Sequence, residues 1–167
     1  MIYAVYDSPL GPIWLTSEHG FLTGVYLSCP HLIDAIENTA DPVIRKGFQW
    51  LDAYFAGKQP SPLLLPLRAT GSPFQQRIWH MLLRIPYGET ITYGQLAKLC
   101  CKNMSAQTVG QAVEKNPISI MIPCHRVLGH GNRLTGYAGG IDKKVWLLKH
   151  EGHDESQFIH PKKYRGK

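Results

Sequence analysis

Nowhere in the 167 residues does an apolar run approach the roughly 20 residues that a membrane-crossing helix requires. The start, Met1-Ile2-Tyr3-Ala4-Val5-Tyr6-Asp7, lacks a charged leader followed by a long apolar stretch, so no signal peptide is expected. Cysteine is scarce. Positions 29, 100, 101 and 124 have neither zinc-finger spacing nor the density of a disulfide framework. Cys29, His19 and His31 are too few and too badly spaced for a zinc site, so no metal is expected. The expected setting is reducing and cytoplasmic, with Cys100 and Cys101 reduced and partly buried, because a disulfide between neighbours is strained. Internal repeats and low-complexity tracts are absent, and a hydrophobic fraction of 44% excludes a disordered chain.

The length suits one ordinary domain or two small ones. Net charge is +6, unevenly spread: residues 1–70 carry 4 Lys/Arg against 6 Asp/Glu, and the remainder 14 against 6. A basic second half fits a polyanionic partner held by one domain, although Lys162, Lys163, Arg165 and Lys167 of a solvated tail supply part of the excess. Residues 1–28 predict a three-stranded meander over Ile2–Tyr6, Pro12–Thr16 and Phe21–Leu27, with turns at Ser8–Gly11 and Glu18–Gly20. Asp41-Pro42 then opens a helix carrying Val43, Ile44, Phe48, Leu51 and Phe55, stopped near Gly57. The proline- and leucine-rich stretch 59–70 reads as a connector whose leucines pack down. The polar residues from His153 read as a loosely held tail.

A helix opened by Ser72-Pro73, with Phe74, Ile78, Met81 and Leu82 on one face, begins the second half. Thr92-Tyr93-Gly94-Gln95 fits a capping box, starting a helix to about Cys101; Ser105 starts another that Asn116-Pro117 stops near Lys115. The pair has helix-turn-helix dimensions. The small residues Ala106, Gly110 and Ala112 either bring the second helix close to a groove or pack it against the first.

The segment Ile118–Val127 reads as a buried strand that ends in Pro123 and presents Cys124, His125 and Arg126 in sequence. Basic neighbours lower a thiol pKa, whereas an ordinary buried cysteine is an inert small hydrophobe. On an extended backbone Cys124 and His125 face opposite ways, so a bridging water or a kink at Pro123 is needed to connect them.

Pro123-Cys124-His125-Arg126, the upstream Asn116-Pro117-Ile118-Ser119-Ile120, the downstream Leu134–Gly140 and the stretch Val145–Gly152 closely resemble the O6-alkylguanine-DNA alkyltransferases. The likeness runs in order from about Ser72 to Gly152, and Ser8–Pro12 and Tyr54–Gly57 extend it over nearly the whole chain. It implies an α+β fold: a ribonuclease-H-like sheet-and-helix domain over 1–70, a winged-helix-type DNA-binding domain over 71–152, and a basic tail over 153–167. It implies irreversible, single-turnover transfer of an alkyl group from O6-alkylguanine, and from O4-alkylthymine, in double-stranded DNA to Cys124. The protein would be a monomer without cofactor or membrane partner.

By the same resemblance, His125 would be a general base through a water, oriented by Glu151 one turn from the end of the last helix. Asn116 would tie the recognition helix to the cysteine strand. Tyr93 would donate to the flipped guanine, the Ala138 N–H would meet O6, and the carbonyls of Cys124 and Val127 would read the exocyclic amine. Tyr137 would wall the pocket, and Gly136, Gly139 and Gly140 would let the loop approach the base. Ala106, Gln107, Thr108, Gly110 and Lys144 would serve DNA binding, Lys144 by adding charge near the pocket, unless it is simply solvated.

Gln107, seventeen residues before Cys124, stands where the family carries an intercalating arginine, and the acidic Glu114 lies on the same helix. Both point to weaker duplex affinity or base flipping than in arginine-bearing relatives. The competing functions are an alkyltransferase-like protein that flags lesions without repairing them, a transcription factor, and a cysteine protease. The first lacks the cysteine, the second needs no Pro-Cys-His-Arg segment, and the third has a different arrangement of Cys and His.

Overall fold

The structure is a computed structural model and describes residues 1–161; Lys162, Lys163, Arg165 and Lys167 of the basic tail lie outside the described residues. Ile2–Tyr6 is rich in β-branched and aromatic residues, and the first turn is closed by its own side chains. Ser8 Oγ donates to the Gly11 carbonyl at 2.6 Å and accepts from Leu10 N–H at 3.0 Å, while Gly11 supplies a φ of +93°. Strands β1 (Ile2–Ser8), β2 (Gly11–Glu18) and β3 (Phe21–Tyr26) form the expected meander. A two-residue strand that the sequence did not signal, β4 (Ile36–Glu37), pairs parallel to β1, giving the order β3-β2-β1-β4.

Helix α1 (Pro42–Phe55) begins as its N-cap dictates. Asp41 Oδ1 accepts the N–H groups of Val43 and Ile44 at 3.0 and 2.9 Å and the Ser17 hydroxyl at 3.1 Å, which also fastens the helix start to β2. Gly47 marks the close approach of α1 to the sheet, since a Cβ there would meet Leu15 Cδ2 at 2.5 Å. Phe48 and Phe55 lie at the margin of the buried face, both against the Tyr6 ring.

Two expectations are corrected. Leu63 and Leu64 do not pack down: Ser61 caps a 3₁₀ turn over Pro62–Leu64 that points both side chains outward, at 74% and 81% exposure. Residues 153–161 are not loosely held. Asp154 and Gln157 close a capping box, and Phe158 buries itself with Leu128, Leu134, Val145 and Leu148. Ile159 exchanges backbone bonds with Asn132 and Leu134.

The chain forms two compact units. One holds Met1–Thr70 together with Pro117–Met121, which returns to bond Val25 of β3 through the Pro117 carbonyl and the Ser119 N–H. The other holds Gly71–Asn116 and the chain from Ile122 onward. In it, α2 (Pro73–Leu82) starts at a Ser72/Gln75 capping box, and Trp79 Nε1 donates to the Ala112 carbonyl at 2.9 Å. Helices α3 (Tyr93–Cys100) and α4 (Ala106–Glu114) start at the caps foreseen, Thr92 with Gln95 and Ser105. The last helix, α5, spans Ile141–His150.

Because Asp41 holds two helix donors and a hydroxyl from β2, Asp41→Ala should destabilise the protein by about 1–2 kcal/mol. Urea unfolding checks this, with Asp41→Asn expected to retain most of the stability.

Candidate active site

Sequence placed Cys124 at the end of a strand, but the backbone does otherwise. Ile118 makes only an isolated bridge to Val25, and Ile120, which is buried, adopts a φ of +71°. For a β-branched residue that left-handed conformation is strained by roughly 1–3 kcal/mol. Pro123 turns the chain (φ −81°, ψ 65°) into a 3₁₀ turn over Cys124–Arg126. The alternation argument for opposite-facing Cys124 and His125 therefore does not apply. Directly after the turn, β6 (Val127–Leu128) pairs parallel with β5 (Ile91–Thr92), Thr92 opposite Leu128. Since Thr92 also caps α3, this pairing fixes Tyr93 relative to the cysteine turn.

Glu151 is not one turn inside the last helix but its C-cap, and it is buried. Its Oε2 lies 2.6 Å from His125 Nε2, and Arg126 grips both oxygens, Nε to Oε1 at 2.7 Å and Nη2 to Oε2 at 3.2 Å. Burial opposes ionisation of Glu151, but His125 and Arg126 outweigh it and hold the carboxyl well below the usual range. An ionised carboxylate only accepts, so His125 Nε2 carries the hydrogen and Nδ1 presents its lone pair. Nδ1 is buried and has no hydrogen-bond partner among the described residues. Burial lowers the His125 pKa despite Glu151, so the ring is neutral at pH 7.

Arg126, expected to electrify the thiol, is spent on Glu151 and on the Ile85 carbonyl at 2.7 Å, which ties the loop after α2 into the site. The lysine, not the arginine, serves the cysteine. Lys144 is fully buried, not solvated; Nζ donates to the Val127 carbonyl at 2.7 Å. Burial pushes its pKa down to about 8, against the pull of Cys124 and Glu114. Cys124 itself is shifted upward by burial, contrary to the expected lowering, while Asn116, Lys144 and the Tyr137 hydroxyl pull in the other direction. Asn116 Nδ2 also donates to the Ile122 carbonyl at 2.8 Å and so links the end of α4 to the cysteine segment.

Beside this buried group lies a cleft of about 580 Å³. Tyr93, Gln107, Gly110, Glu114 and Thr135 line it, together with Ala106. Thr135 Oγ1 donates to the Tyr93 hydroxyl at 2.9 Å, a contact that sequence reasoning missed, and burial raises the Tyr93 pKa. The phenol therefore keeps a proton to donate. Gly110 faces the Tyr93 ring, where a Cβ would meet Cδ1 at 3.5 Å. Of the small residues on α4, Ala106 is exposed and Ala112 is packed inward under Trp79. Gln107 is exposed, as is Thr108, whose hydroxyl bonds that of Ser105 at 2.8 Å. Ala138 is exposed in the loop before Gly140, which turns the chain into α5 with a φ of +96°.

Below pH 8 Lys144 is a cation that favours the thiolate of Cys124. Lys144→Met should raise the Cys124 pKa and slow its alkylation by iodoacetamide at pH 7, about tenfold for each pH unit by which the thiol becomes less acidic. Rates followed across pH by peptide mass spectrometry check this, and the profile should move to higher pH.

The model of the 6-O-methylguanine DNA methyltransferase DNA-binding domain matches residues 73–153, and that of the family's ribonuclease-like domain matches residues 1–69. The methylated-DNA–protein-cysteine methyltransferase of Methanosarcina acetivorans is 41% identical over 91% of this chain and 99% of its own. That of Mycobacterium bovis is 42% identical over 89% and 91%. The crystal structure of Mycobacterium tuberculosis OGT in complex with DNA superposes with a TM-score of 0.82 at 39% identity, covering 95% of each chain. With both domain models matched in order along the chain, the protein belongs to the 6-O-methylguanine DNA methyltransferase family.

Proposed function

We propose that this protein repairs DNA by direct reversal, moving the alkyl group of O6-alkylguanine, and of O4-alkylthymine, onto its own Cys124. The observation that carries the reading is the buried array in which a neutral His125, with Nδ1 open, follows Cys124 in the same 3₁₀ turn and is backed by an ionised Glu151. His125 Nδ1 takes the thiol proton through a bridging water, and the resulting imidazolium is stabilised by Glu151. Lys144 and Asn116 stabilise the thiolate. The sulfur attacks the alkyl carbon in line; the C–S bond forms as the C–O6 bond breaks. Tyr93, freed to donate because Thr135 donates to it, neutralises the departing guanine. The thioether has no route back, so each molecule acts once.

The base must leave the duplex to reach the thiol. It would enter past the cleft lined by Tyr93 and Gly110, with the Ala138 N–H meeting O6 and Tyr137 forming a wall. The Val127 carbonyl spends one lone pair on Lys144, which leaves the second for the exocyclic amine. Ala106, Gln107 and Thr108 on the exposed face of α4 would meet the DNA backbone and the orphan base. Residues 1–70 act as the supporting domain, 71–152 as the DNA-binding and transfer domain, and the basic tail from 153 adds charge. The protein works as a monomer in the reducing cytoplasm, in keeping with four free cysteines.

Incubation with an O6-methylguanine oligonucleotide should leave one added methyl on the Cys124 peptide, read by mass spectrometry, with no turnover beyond one equivalent. Cys124→Ser should bind the lesion and transfer nothing; lesion loss without a labelled peptide would refute the reading. Gln107→Arg adds a cation to the α4 face and should tighten duplex binding several-fold, with a log–log salt slope steeper by about one. No gain in either affinity or transfer rate would remove any deficit at Gln107.

A further inference from the structure

At the opposite end of α3 from Tyr93, two thiols touch. Cys100 Sγ and Cys101 Sγ lie 2.8 Å apart, both sulfurs are free, and both residues are half-buried, open enough for a small solute to reach. Arg77 of α2 donates from Nη1 to Cys101 Sγ at 3.4 Å. The two sulfurs differ. Burial and the bond to Cys101 push the Cys100 thiol up to about 11, against the pull of Arg77. Cys101 Sγ shares a hydrogen bond with Cys100 and accepts a guanidinium N–H, and a basic neighbour of this kind favours reaction at a sulfur. Neither residue belongs to the proposed transfer site.

We propose that Cys100 and Cys101 form a reversible oxidation site that takes a peroxide as its substrate and closes into a disulfide across their shared peptide bond. The Cys101 thiolate attacks one peroxide oxygen; the O–O bond breaks, and the departing oxygen leaves as hydroxide or alkoxide and takes up a proton. Cys101 is now a sulfenic acid. Cys100 Sγ then attacks Cys101 Sγ, the S–O bond breaks, and water leaves carrying the Cys100 proton. Two electrons pass from the sulfur pair to the peroxide. A ring across one peptide bond is strained, and strained disulfides are the easily reduced ones, so cellular thiols return the pair to the free form observed. The site sits where the Cys101 N–H closes α3 onto the Ala97 carbonyl and the Cys101 carbonyl accepts from Met104, just before Ser105 caps α4. Ring closure therefore acts on the connection that sets the start of the proposed DNA-reading helix.

Brief treatment of the full-length protein with hydrogen peroxide, then iodoacetamide and trypsin, tests this independently of alkyl transfer. The peptide 99–102 should appear two hydrogens lighter than its reduced form and unlabelled, and dithiothreitol should restore double labelling. In Cys100→Ser, Cys101 should instead accumulate as a sulfenic acid that dimedone traps. Arg77→Gln should slow closure several-fold. The proposal is overturned if the peptide stays doubly labelled at peroxide doses that oxidise the exposed Cys29, or is recovered only as sulfinic acid or as a disulfide to another cysteine. An unchanged rate in Arg77→Gln overturns the part given to the guanidinium.

Discussion

Glu151 is a carboxylate removed from water, and the arrangement around it follows from keeping it ionised there. A buried ion costs several kcal/mol unless its oxygens are filled. Arg126 fills one side with two donors and His125 the other with one, and the same arginine carries its remaining nitrogen to the Ile85 carbonyl. The helix that ends at Glu151, the turn that bears His125 and the loop after α2 are thereby held to a single carboxylate. The orientation of the imidazole is a by-product of that neutralisation. Because the acid is deprotonated, the ring has one available tautomer, and its basic nitrogen is the one left open.

A second constraint is the charge balance around the sulfur. A thiol sealed from solvent is made less acidic, and here burial wins in the resting protein. The counterweight is a lysine that is itself destabilised by burial, its pKa brought down to about 8. A resting thiol that is hard to ionise, with a cation, an amide and a phenol held ready, is protected from casual electrophiles. The Cys100–Cys101 pair, by contrast, is half-buried beside Arg77, so the proposed oxidation site and the proposed transfer site lie at opposite ends of α3.

The helix starts were legible because each is encoded within four residues: Asp41-Pro42, Ser72-Pro73, Thr92 with Gln95, and Ser105 all cap as read. The meander was legible from β-favouring composition and from the turns at Ser8–Gly11 and Glu18–Gly20. What local pattern misjudged were segments whose conformation is imposed from elsewhere. Ile118–Ile122 has the composition of a strand, yet its backbone is turned through a left-handed Ile120. Leu63 and Leu64 are apolar, but the turn they occupy points outward. Residues 153–161 are polar on average, but one buried side chain, Phe158, and the backbone bonds of Ile159 decide their fate.

Sequence alone singled out Cys124 as the proposed reacting sulfur, with its histidine neighbour, and determined the frame of helices around them, because residue order and capping chemistry are local properties. Only the tertiary structure decided the allegiance of the charges. Arg126 lies two residues from Cys124 but serves Glu151, and Lys144, twenty residues away, supplies the cation at the thiol. Long side chains reach whichever partner the fold brings near, and desolvation makes that choice binding: an ion withdrawn from water must end on an opposite charge or a carbonyl, wherever in the chain that group originates.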